Sequence, residues 1–129
     1  MRILIAEDDY TSRRLMQKLL TRFGEVDIAA NGKEAVDAFR AALDAGEPFG
    51  LVCLDIMMPE MDGHATLSEI RALEASRGAL AASKIIMTTA LDEPGHVLNA
   101  FREQCDAYLV KPISHAKLLE HLGNFGIAA

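Results

Sequence analysis

Cysteine is scarce in this chain: only Cys53 and Cys105 occur, too few for a disulfide framework. Cys53 lies inside an apolar run, where a thiol serves as a small buried hydrophobe. No apolar run approaches the length of a membrane span. No charged start followed by a long apolar stretch marks a secretion signal. The expectation is a cytoplasmic protein with no membrane contact. Basic residues never cluster beyond an adjacent pair such as Arg13 and Arg14, and the net charge is −6. Direct binding of nucleic acid by this domain, which needs a basic face, is therefore not expected. No repeat, low-complexity segment, Walker-type phosphate loop or G-x-S-x-G elbow is present, which sets aside ordinary nucleotide hydrolases and serine nucleophiles of that kind. The four histidines, His64, His96, His115 and His121, lack metal-site spacing and are expected on the surface.

What remains is an ordinary globular composition, half apolar and a quarter charged, over 129 residues. That length fits one domain, 1–129, with a core that needs neither disulfides nor a structural metal. Five short apolar runs alternate with helical patterns. The runs are Ile3–Ala6, Val26–Ala29, Leu51–Leu54, Ile85–Met87 and Ala107–Val110. Continuous apolar strands imply burial on both faces, as in a parallel sheet covered by helices. The second run carries Asp27 in its middle and reads as an edge strand.

Helical stripes separate the runs. They are Leu15, Met16, Leu19, Leu20 and Phe23; Ala35, Val36, Phe39 and Leu43; Leu67, Ile70 and Leu73; Val97, Leu98 and Phe101; and Leu118, Leu119, Leu122 and Phe125. Start signals agree: Asn31-Gly32 before the second helix, Asp62-Gly63 before the third, Asp92 with Pro94 before the fourth, and Ser114 before the fifth. The order βαβαβαβαβα predicts an α/β, doubly wound (βα)5 sandwich with a five-stranded parallel sheet.

Position is the informative feature. Four strands run at their carboxyl ends into polar groups: Glu7-Asp8-Asp9, Asp55, Thr88-Thr89 and Lys111-Pro112. Ligands of open α/β sheets bind at those ends, near the switch point, so these groups should converge. Glu7, Asp8 and Asp55 together are unfavourable unless a cation neutralises them or protons are taken up. A few hard oxygen ligands with room for water suit Mg2+. Asp8 and Asp55 are the preferred ligands, with Glu7 partly through water and the backbone carbonyl of Met57 completing the set. Asp9 reads equally as a cap on the first helix. Lys111 would supply a point-charge ammonium opposite Asp55 or a phosphate oxygen, and the Thr89 hydroxyl a donor to the same phosphate. A carboxylate so placed can act as a nucleophile toward phosphorus.

The run Ile3-Leu4-Ile5-Ala6-Glu7-Asp8-Asp9, the run Leu54-Asp55-Ile56-Met57-Met58-Pro59-Glu60-Met61-Asp62-Gly63, the pair Thr89-Ala90 and the triplet Val110-Lys111-Pro112 resemble the receiver domain of bacterial two-component response regulators. The resemblance covers essentially the whole chain, in order. It implies a flavodoxin-like strand order of 2-1-3-4-5. It implies Asp55 as phosphoacceptor, supplied by a sensor histidine kinase or histidine phosphotransfer protein, with Glu7 and Asp8 as the acidic pair that holds Mg2+. It implies Thr89 and Tyr108 as a switch pair, a cis Lys111-Pro112 bond, and lifetime tuning by Met57 and Leu91, whose apolar side chains point to slow self-hydrolysis. The signal would pass to a downstream protein target, with a possible dimer, through the face of the fourth helix, fifth strand and fifth helix. The leading expectation is a stand-alone receiver rather than a piece of a longer regulator. An aspartate-nucleophile phosphatase would want an acid where Met57 stands, and a flavin carrier would need a phosphate loop that this sequence lacks.

Overall fold

In the computed structural model, which describes residues 1–78, 82–90 and 104–129, each apolar run is a strand. They are β1 (Arg2–Ala6), β2 (Glu25–Ala29), β3 (Leu51–Asp55), β4 (Lys84–Thr89) and β5 (Ala107–Val110). All pair in parallel, in the order β2-β1-β3-β4-β5. Four helices are described: α1 (Tyr10–Leu20), α2 (Gly32–Asp44), α3 (Gly63–Ser76) and α4 (His115–Asn124). The last is the fifth helix expected from sequence. The expected fourth, with Asp92, Pro94, Val97, Leu98 and Phe101, lies outside the described residues.

Strand alternation divides the core into two layers. Leu4, Ala6, Val52, Leu54, Ile85 and Met87 meet Ala35 and Phe39 of α2 and Leu67 and Ile70 of α3. Ile3, Ile5, Leu51, Cys53, Ile86 and Leu109 meet Met16 and Leu20 of α1 and Leu118 and Leu122 of α4. Covering both faces explains why β3 is buried along its whole length. Each Leu, Ile, Val, Met or Phe side chain among them contributes about 1.5–3 kcal/mol by leaving water.

Capping follows the sequence signals. Asp9, Asn31, Asp62 and Ser114 each accept a backbone N–H from the first turn of α1, α2, α3 and α4. β2 is an edge strand, as β5 is at the other side, and its Asp27 is held by Arg2 of the neighbouring β1 at 2.5 Å. Two expectations are corrected. Leu15 is exposed and Phe23 lies beyond the end of α1, so the buried stripe of that helix is Met16 and Leu20. His64 and His121 are half-buried rather than on the surface, the latter stacked on Phe125; His96 lies outside the described residues.

At the amino end of the sheet, Arg71 of α3 fastens three elements. Its guanidinium donates to Glu74 Oε1 at 2.7 Å, to the Ser83 carbonyl at 3.0 Å, to the Gln104 carbonyl at 2.7 Å and to Asp106 Oδ2 at 3.1 Å. The other Glu74 oxygen accepts Ser83 N–H at 2.7 Å, and Asp106 Oδ2 accepts Ile85 N–H at 2.8 Å. α3 is thereby tied to the starts of β4 and β5. Arg71→Ala would leave the buried Glu74 carboxylate without its cation, and urea unfolding should record a loss of about 3 kcal/mol. A change below about 0.5 kcal/mol would mean that the fork carries no net stability.

Candidate functional site

The carboxyl ends of β1 and β3 are neighbours, because the chain leaves β1 for the edge at β2 and returns on the other side to form β3. This is the switch point of an open α/β sheet. Glu7 and Asp8 follow β1, and Asp55 ends β3, with carboxylate oxygens of all three within 4.8 Å of one another. Lys111, immediately after β5, reaches across. Its Nζ stands 2.8 Å from Glu7 Oε1 and 3.1 Å from Asp55 Oδ2. The expected convergence of acids and lysine is thus present.

Burial divides the acids. Glu7 and Asp55 are only 3% and 4% exposed, whereas Asp8 is open to solvent. Backbone donors hold the buried pair: Asp9 N–H bonds Glu7 Oε2 at 3.2 Å, and Met57 N–H bonds Asp55 Oδ1 at 3.3 Å. Burial, then the hydrogen bond and charge of Glu7, push the Asp55 pKa up to about 6 against the opposing pull of Lys111. Burial works to lower the Lys111 ammonium, but the Glu7 and Asp55 carboxylates together outweigh it, so its pKa is raised. One ammonium against three carboxylates leaves the cluster negative. Its donors are hard oxygens, one of them on a solvent-facing side chain, and that set fits a small divalent cation such as Mg2+.

Of the other residues singled out from sequence, Thr89, Tyr108, Met57 and Asp9 lie among the described residues. Thr89 closes β4 and is buried, its hydroxyl donating to the Ala90 carbonyl at 3.3 Å. Its own carbonyl accepts the Lys111 N–H at 2.6 Å, which fixes the lysine's backbone beside it. Tyr108, the register partner of Met87, is half-buried against the α2–α3 layer of the core. The Lys111-Pro112 bond is cis. Met57 is 64% exposed at the mouth of the site. Leu91 lies outside the described residues. Asp9 caps α1, with Ser12 N–H donating to Oδ2 at 2.8 Å, and contributes no carboxylate oxygen to the trio.

Two glycines shape the loop after Asp55, and sequence reading had used them only as helix-start signals. A Cβ on Gly63 would collide with the Asp55 carbonyl and with Ile56 Cα; one on Gly32 would collide with the Met61 carbonyl and Thr66 Oγ1. The N-termini of α3 and α2 therefore approach the loop closely from two sides. Only Gly permits such backbone proximity.

Comparison with known proteins agrees with this geometry. The family model described as the response regulator receiver domain matches residues 3–123. The chain is 36% identical over 118 residues to the probable transcriptional regulator ycf27 of Porphyra purpurea, covering 91% of this chain and 44% of that protein. It is 33% identical to the chemotaxis protein CheY of Listeria monocytogenes, covering 95% of each. It thus spans about half the length of some curated relatives and nearly all of others. Among solved structures, the receiver domain of a sensor histidine kinase from Pseudomonas aeruginosa, with a magnesium ion coordinated in its active-site cleft, matches with a TM-score of 0.77 at 27% identity, over 95% of this chain and 94% of that one. Matching motifs, strand order and acidic cleft lead to one assignment: the chain belongs to the response regulator receiver domain family.

Proposed function

We propose that Asp55 accepts a phosphoryl group from a phosphohistidine on a sensor histidine kinase or histidine phosphotransfer protein, and that residues 1–129 work as one cytoplasmic receiver unit. The observation that carries this reading is the Lys111 ammonium, held between one carboxylate just after β1 and another at the end of β3, at the rim where Asp8 and Met57 face solvent. That rim is where a donor protein would approach. Tyr10, at the start of α1, and Met57 offer it exposed apolar surface.

In the transfer, an Asp55 carboxylate oxygen forms a bond to phosphorus as the bond from phosphorus to the donor imidazole breaks. The electron pair stays on the imidazole nitrogen, which then takes up a proton. Glu7, Asp8, Asp55 and the Met57 backbone carbonyl are the groups that would hold Mg2+, which neutralises charge on the transferring oxygens. Lys111 stands ready to exchange its carboxylate contact for a phosphoryl oxygen. The product adds roughly −1.5 to −2 charges at this point. Thr89 and Lys111 answer that charge, and because their backbones are bonded to each other, a shift at one is felt at the other. Tyr108 then carries the change to the side of β5 and α4, where a downstream protein target, or a second copy of the chain, would read it.

Asp55 attacks as the carboxylate, so its raised pKa has a consequence for stability. Without metal the folded chain holds this proton more tightly than the unfolded chain does. The stabilising contribution is full below pH 3.8 and is lost as pH rises through about 6. Asp55→Asn should therefore stabilise the metal-free protein at neutral pH by on the order of 1 kcal/mol, with the gain vanishing near pH 4. Urea unfolding at the two pH values reads the difference; equal gains at both would refute the pKa.

Incubation with acetyl phosphate and Mg2+, followed by intact mass, tests the acceptor. One added phosphoryl group is expected, absent in Asp55→Ala and without added Mg2+. Labelling that survives Asp55→Ala would place the acceptor elsewhere. The exposed, apolar Met57 hinders an attacking water, which supports slow self-hydrolysis. Met57→Asn should shorten the half-life of the phosphorylated form several-fold, read by the same mass assay over time, and an unchanged half-life would remove Met57 from this role.

A further inference from the structure

Arg13 belongs to no role assigned so far, yet its guanidinium bonds the main chain of the site. Arg13 Nη1 donates to the Glu7 backbone carbonyl at 3.2 Å, and the same group lies over the Tyr10 ring, 5.6 Å from its centroid. The Glu7 carbonyl shares one planar peptide unit with the N and Cα of Asp8, so holding that oxygen fixes how Asp8 leaves the strand. The remaining polar groups on either side of Asp8 are also held. Glu7 N–H donates to the Ala29 carbonyl at 3.1 Å, Asp9 N–H donates to Glu7 Oε2, and Asp9 is locked as the cap of α1. Arg13 N–H closes the frame by donating to the Asp9 carbonyl at 2.9 Å.

We propose that Arg13 is a positioning residue for cation binding: it orients the Glu7–Asp8 peptide so that the Asp8 carboxylate faces Asp55. The inference rests on the reading of Glu7, Asp8 and Asp55 as Mg2+ ligands. Its sign separates it from simple electrostatics. A guanidinium beside a cation site repels the cation, so losing the charge alone would tighten Mg2+ binding. Losing the positioning bond would weaken it, as removal of groups that orient metal ligands does.

The test is calorimetric titration of the full chain with Mg2+ at fixed ionic strength, comparing Arg13→Gln, Arg13→Lys and Arg14→Gln. Arg14 is exposed on α1 and loses the same charge one residue away. Arg13→Gln should weaken binding about tenfold, and Arg14→Gln should leave it unchanged or slightly tighter. Arg13→Lys keeps the charge without the planar fork and should also weaken binding; it decides the matter if Arg13→Gln fails to give a cooperative thermal transition. Binding by Arg13→Gln, or by Arg13→Lys where that variant decides, as tight as that of Arg14→Gln would overturn the role of Arg13 and leave the ligand reading intact. Failure of the unaltered chain to bind Mg2+ would overturn both.

Discussion

Like charges held close together need a counter-charge, and this constraint organises the molecule. Glu7 and Asp55 are buried side by side at the ends of adjacent strands, and Lys111 bridges them from the far side of β4. The lysine does not fully balance the acids. Burial first and the neighbouring Glu7 second hold the Asp55 pKa up at about 6, and the exposed Asp8 brings a third carboxylate to the cluster. A site left short of positive charge is primed to take a divalent cation. In the phosphotransfer proposed above, a phosphoryl group would add more negative charge, and the same shortage would draw Lys111 and Thr89 toward it. On that proposal, metal binding and switching would draw on one electrostatic imbalance.

The fold supplies the geometry for that imbalance. Parallel strands bring all their carboxyl ends to one rim, and the excursion from β1 to the edge and back sets Glu7 and Asp55 beside each other. The N-termini of α2 and α3 press on the loop after Asp55 through Gly32 and Gly63, leaving its backbone little freedom. The opposite rim is fastened differently. There Arg71 joins α3 to the starts of β4 and β5 through charged hydrogen bonds, among them one to the buried Glu74. One end of the sheet is stapled, and the other carries unbalanced charge that chemistry can use.

Much of this was legible in the residues because each signal was local. Apolar runs gave the strands, and Asn31, Asp62 and Ser114 gave helix starts, since capping acts within a turn. The convergence of Glu7, Asp8, Asp55 and Lys111 was legible because each ends or follows a strand directly, and topology does the rest. Leu15 was misread because the four apolar stripe residues of α1, Leu15, Met16, Leu19 and Leu20, span a wider face than the sheet covers. The Arg71 fork was missed because its partners lie up to 35 positions away, and nothing in a helical pattern marks an arginine that pairs with a buried Glu74. The tight approaches of Gly32 and Gly63 were missed for a like reason: a D-G or N-G pair announces a turn but not what the glycine will touch.

The central claim is that one divalent cation is held jointly by residues after β1 and at the end of β3. Titration with Mn2+ followed by amide NMR line broadening tests it most directly, because paramagnetic broadening falls off steeply with distance. Broadening is expected first at residues 7–9 and 55–58 and at Lys111, and it should be competed away by Mg2+. Broadening centred elsewhere, for example on the exposed Glu25 of β2, or spread evenly over the acidic surface, would contradict the account.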